Sequence, residues 1–200
     1  GADASKEEVE TSQGKVNGIK ARLDEAARVL VEQADKGQLT TARNTLDGLA
    51  KETDPTPGKT TSTANAYKTA KQEAEEAVRK ADEVIQDQNA TADKVSTALN
   101  TVNEKTEALK QAKNKLKEAA SETARNALRT SAEALEKAST TNKTPKSVEA
   151  YNQKYEALKT ELENAKTEAL NIANKGADAS KEEVETSQGK VNGIKARLDE

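Results

Sequence analysis

Apolar residues recur at three- and four-residue steps along most of the chain, and no alternating apolar–polar run is bounded by turn pairs. The pattern therefore predicts helices and no strands. Ser5-Lys6-Glu7-Glu8 has the form of a capping box, in which the serine and the glutamate satisfy each other's orphan amides. Val9, Val16, Leu23 and Leu30 then follow every seven residues, with Ile19 and Ala26 between them, and predict one helix ending at Lys36-Gly37. A shorter helix carries Leu39, Ala42, Leu46 and Leu49 on one face. Asp54-Pro55-Thr56-Pro57-Gly58 stops it, because proline lacks the backbone donor and restricts the residue before it.

Tyr67, Ala70, Ala74, Ala77, Ala81 and Val84 mark an amphipathic helix over about 62–88 whose apolar face is mostly alanine. Asn89-Ala90-Thr91 interrupts the pattern, with Thr91 placed to cap a new helix through Val95, Leu99, Val102, Leu109, Ala112 and Leu116. Neither glycine nor proline occurs over 92–139. An unbroken helix of that span would be roughly 70 Å long, and the apolar phase slips, so a break is expected near 120–123 before Ala124, Leu128, Leu135 and Ala138 resume. Residues 139–143 form the next loop. Thr144-Pro145 opens the most regular stripe, Val148, Tyr151, Tyr155, Leu158, Leu162, Ala165, Ala169 and Ile172, in the favoured cap-then-proline order. Gly176 ends it, and a second capping box begins at Ser180.

The chain repeats itself. Residues 1–25 recur unchanged as 176–200, a period of 175, so the expectation is a slice through an array. A weaker internal period sets Val16, Leu23, Ala26 and Leu30 against Val102, Leu109, Ala112 and Leu116 at 86 residues, and Pro57 and Tyr67 against Pro145 and Tyr155 at 88. Each long repeat is thus two diverged modules. Three amphipathic helices per module fit an all-α fold of tandem antiparallel three-helix bundles, the smallest arrangement in which each stripe is covered by two others. Cutting at the proline loops leaves incomplete halves at 1–53 and 145–200. Cutting at the Asn-Ala-Thr and Gly-Ala-Asp corners gives modules at 1–88 and 89–175, with 176–200 opening the next, and the duplication starts at that second corner. Alanine-rich cores imply close helix axes and marginal single modules, and helices of this length make each module about 40 Å long, an elongated rod.

Composition narrows the chemistry. Lys plus Arg number 32 against 35 Asp plus Glu, a net charge of -3, which leaves no electrostatic footprint for nucleic acid. With no Cys and no His, disulfides, thiolate metal sites and the commonest metal ligand and general base are all missing. No enzyme, cofactor or metal is expected. The apolar runs are too short to span a bilayer, no secretion signal is read, and the mixed-charge polar faces argue against membrane insertion.

Individual motifs favour structural readings. Gly58-Lys59-Thr60 resembles the end of a phosphate-binding loop, but position 53 is Thr and no strand precedes it. Ser12-Gln13-Gly14-Lys15 has the Ser-x-x-Lys spacing of a penicillin-recognising nucleophile, yet it lies mid-helix without companion motifs. Glu73, Glu75 and Glu76 lack the loop a calcium site needs and read as a solvated helix face. Asn89-Ala90-Thr91 and Asn142-Lys143-Thr144 match the glycosylation acceptor pattern but read as caps and loop polar groups. Tyr67 and Tyr155 lie on core stripes, whereas Tyr151, near a helix start, is the tyrosine expected at a surface. No ligand-binding residue is singled out.

Tyr67-Lys68-Thr69-Ala70, followed by Asn89-Ala90-Thr91, Val95, Ala98-Leu99, Val102 and Leu109, resembles the FIVAR module of Gram-positive surface proteins. Tyr155 through Ala165, with Ala179-Ser180, Val184, Val191 and Leu198, resembles a degenerate second copy, with Gly176-Ala177-Asp178 in place of Asn-Ala-Thr. Paired modules at this repeat length are similar to the giant staphylococcal extracellular-matrix-binding proteins, the Ebh and Embp group. The resemblance implies an extracellular, cell-wall-anchored stalk that binds a host matrix protein, fibronectin above all, through many weak sites. The alternative is a passive helical spacer that projects a distal domain. The remaining expected partners are neighbouring repeats of the same chain.

Overall fold

The computed structural model describes residues 3–200. Seven α-helices are present among the described residues: α1 (Lys6–Ala27), α2 (Gly37–Ala50), α3 (Thr61–Gln86), α4 (Ala92–Asn114), α5 (Glu122–Glu133), α6 (Pro145–Asn174) and α7 (Lys181–Asp199). A single 3-10 turn, Gly176–Asp178, separates α6 from α7. The described residues contain no β-strand, and extended pairing is limited to two isolated bridges, Lys59 with Glu118 and Ala119 with Ser180. The fold is all-α.

The capping residues act as their chemistry dictates. The Ser5 and Ser180 hydroxyls each accept from the amide three residues on, while Glu8 and Glu183 reach back to the serine amides at 2.8 and 2.9 Å. Thr91 and Thr144 accept from the amides of Lys94 and Ser147.

Two separate apolar cores form. α2, α3 and α4 each touch the other two and bury Leu39, Leu46, Tyr67, Ala74, Ala81, Val102 and Leu109. Likewise α5, α6 and α7 enclose Leu128, Leu135, Leu162, Ala169, Val184, Val191 and Ile194. Salt bridges fasten the helix pairs at the rim of each core. Arg43 on α2 grips both carboxylate oxygens of Asp82 on α3 at 2.8 Å, and Lys190 and Arg197 on α7 meet Glu168 and Glu161 on α6 at 2.9 and 2.7 Å.

This packing corrects the expected module boundaries. Divisions after 88 and 175 cut across both cores, because the Asn-Ala-Thr and Gly-Ala-Asp corners are tight turns inside a bundle, between its second and third helices. The true break lies at 115–121, between α4 and α5. Residues 1–88 therefore do not form a three-helix unit: α1 buries none of its residues and belongs to neither core.

The helix expected to run to Lys36-Gly37 stops at Ala27, and Gly37 instead begins α2. With nothing packed on its stripe, local propensity decides, and the Val29-Leu30-Val31 run with its β-branched residues is a weak helix former. Leu30 is 78 % exposed. The break expected at 120–123 comes at 115–121, and α5 ends at Glu133, short of Ala138, although Leu135 beyond it is still buried.

Candidate functional site

The segment 117–120 leaves α4 extended because two loops lie on either side of it and pair with its backbone. On one side the Thr60 amide donates to the Lys117 carbonyl at 2.8 Å and the Ala119 amide to the Gly58 carbonyl at 2.9 Å. On the other the Ala120 amide donates to Ala179 and the Lys181 amide to Glu118, both at 2.8 Å. The seam so formed ties the start of α3 in one bundle to the start of α7 in the other. Gly58 makes the turn with a φ of 75°, a conformation that costs a side chain roughly 1 kcal/mol. Lys59 forms an ion pair with Glu118 across the seam, and the Thr60 and Thr63 hydroxyls bond each other at 2.7 Å. Asp178 closes the arrangement by accepting from the Ser62 amide at 2.8 Å, at the exposed first turn of α3.

Electrostatics mark this junction as a place where carboxylates are held ionised. The Ser62 hydrogen bonds keep Asp178 below the ordinary aspartate range. Glu183, bonded first by Lys175 and then by the Ser180 amide, is lowered to about 2. Beside it runs an open groove of about 760 Å³, lined among others by Asn164, Glu168, Asn171, Lys175, Glu183 and Thr186. Two of its acids are matched, Glu183 by Lys175 at 2.6 Å and Glu168 by Lys190, while Glu182 at the first turn of α7 forms no ion pair among the described residues. The Ser180 hydroxyl in this groove donates to the Glu183 carboxylate at 3.0 Å, and that pair serves as the capping box of α7. The chemistry this arrangement supports is alignment of two bundles.

Gly58-Lys59-Thr60 sits in the seam, which gives that tripeptide a structural role. Ser12 is exposed on α1, while its repeat counterpart Ser187 is 1 % exposed and packed in the second core. Glu73 pairs with Lys105, and Glu76 with Arg79 and Lys80, which hold Glu76 at about 2. Among the described residues no group of three such side chains is placed to hold a metal ion. Tyr67 is 1 % exposed, and burial pushes its hydroxyl above the usual tyrosine range. Tyr155 packs half-buried against the second core beneath Lys137, 5.2 Å from its ring centre. Tyr151 is half-buried rather than free: its ring stacks on Tyr155 at 6.3 Å, and its hydroxyl accepts from the Ala138 amide.

Two working parts escaped sequence reasoning. Lys36 donates to the Ile85 and Asp87 carbonyls, capping the C-terminus of α3 from a distance. Asp178 and Ser62 stand 116 positions apart, and no local signal joins them. The seam itself had a faint one: the loss of helical phase after Leu116.

The FIVAR domain pattern matches residues 35–110 and 124–199, which cover α2, α3 and most of α4, and most of α5 with α6 and α7, respectively. No solved structure matches the chain. FIVAR domains occur in bacterial surface proteins, often as repeats, and are not enzymes. No helix among the described residues is long and apolar enough to cross a membrane. With two matches over most of its length, each enclosing one three-helix core, the chain belongs to the FIVAR domain family.

Proposed function

We propose that this chain is a stretch of an extracellular, cell-wall-anchored adhesin stalk of the Ebh and Embp kind, whose bundles bind a host matrix protein, fibronectin, weakly and many times over. The observation that carries this reading is the repetition itself: two FIVAR domains and a 25-residue segment duplicated without change. Related modules in tandem multiply a weak contact by effective concentration rather than by a single strong site.

Binding of the purified chain, and of a tandem duplicate of it, to immobilised fibronectin tests the proposal. Weak binding by the single chain, strengthened at least tenfold in the duplicate, is the expected result. Silence from both leaves the second reading, a passive spacer. That reading draws on the seam, because four backbone hydrogen bonds and an acid at a helix start form the kind of joint that transmits a fixed orientation from bundle to bundle.

A further inference from the structure

Helices α1 and α7 have the same sequence over Lys6–Glu25 and Lys181–Glu200, yet opposite surroundings. On α7, Val184, Val191 and Ile194 are 4, 1 and 3 % exposed against α5 and α6; on α1 the matching Val9, Val16 and Ile19 are 56, 56 and 58 % exposed. The charges match as well. In α7, Lys190 and Arg197 reach Glu168 and Glu161 of α6, and Glu183 takes Lys175. Lys15, Arg22 and Glu8 hold those positions on α1, whose ion pairs among the described residues, Lys6–Glu10, Lys20–Asp24 and Glu25 with the C-cap Arg28, reach no other helix. The seam atoms are duplicated too. Ala4 and Lys6 stand where Ala179 accepts from Ala120 and Lys181 donates to Glu118, and among the described residues the Ala4 carbonyl and the Lys6 amide make no such backbone hydrogen bond outside α1.

From this we infer that the open face of α1 is a docking surface for the α5–α6 helix pair of a second copy of this chain, seated in the register α7 uses. Apolar stripe, flanking charges and seam edge all specify the same occupant. In an intact copy that pair is already covered by its own α7, which competes at the high effective concentration of a tethered segment. Docking between copies therefore appears when α7 is released, or when a further α5–α6 pair is supplied.

Val191→Asp releases α7 by placing a charge in the second core while leaving α1 untouched. Sedimentation of this variant is expected to show concentration-dependent association beyond the 21.4 kDa monomer. The double variant Val16→Asp/Val191→Asp is expected to stay monomeric. A helical Val191→Asp chain that remains monomeric, or a double variant that associates as strongly, overturns the inference. Should Val191→Asp lose the helix signal of α5 and α6, a chain with another copy of residues 122–175 joined ahead of Gly1 decides. Amide exchange in α1, followed by NMR, is then expected to slow at least tenfold towards that of α7, and Val16→Asp is expected to reverse the slowing. Unchanged exchange in the joined chain overturns the inference.

Discussion

Residues divide here by what covers them, and identical side chains supply the comparison. Leu46 is fully enclosed between α2, α3 and α4, whereas Leu30 lies outside any helix and any core. Leu46→Ala is expected to cost about 2–5 kcal/mol in urea unfolding, while Leu30→Ala stays within about 0.5 kcal/mol of the parent. Acid tests a second class of residue. Glu183 titrates at about 2 in the fold against an ordinary 4.5, so its contribution is fully present above pH 4.5 and is lost as the pH falls towards 2. The melting temperature of the second bundle should drop across that window, and Glu183→Gln should flatten the drop. The capping roles of Ser5, Thr91, Thr144 and Ser180 and the burial of Tyr67 were legible in the sequence, because each follows from neighbours three or four positions away. The seat of Tyr151 was not: its hydroxyl meets the Ala138 amide across a loop whose path depends on where α5 stops.

Among elements, propensity governs only where packing is missing. The seven-residue stripe from Val9 to Leu30 reads as one helix in the sequence, yet the helix ends at Ala27, since a stripe stabilises a helix only when something lies against it. The breaks in α3 and α6 were legible from Asn-Ala-Thr and Gly-Ala-Asp, but their meaning was not. A corner within a bundle and a link between bundles use the same small polar residues, and only the partners of the flanking stripes tell them apart. Thr91→Ala removes the cap of α4 and is expected to cost the first bundle about 1 kcal/mol. The seam is the element that joins the bundles, and Asp178→Ala removes its side-chain clasp on α3. Calorimetry of that variant should show two unfolding transitions further apart than in the parent chain; transitions that stay merged, with each bundle otherwise unchanged, would assign the coupling elsewhere.

At the scale of the whole chain, the periods found in the sequence are explained by equivalent helices. Val16, Val102 and Val191 occupy the same position in α1, α4 and α7, so the 86-residue step and the 89-residue step together make the 175-residue period. Matching Tyr67 to Tyr155 at 88 instead reflects loops that differ by one residue on either side of α3 and α6. The repeat was therefore legible, but its phase was not, because a period has no starting point until packing supplies one. An elongated arrangement predicts a small-angle scattering radius well above the roughly 16–17 Å of a compact domain of this length. The central claim is that tertiary packing, and not sequence, makes α7 part of a bundle and leaves α1 open. NMR amide exchange tests it most directly, since identical residues share intrinsic exchange rates and their resonances report each copy separately. Slow exchange at Val184, Val191 and Ile194 with fast exchange at Val9, Val16 and Ile19 is the predicted result; equal protection of the two copies would contradict it.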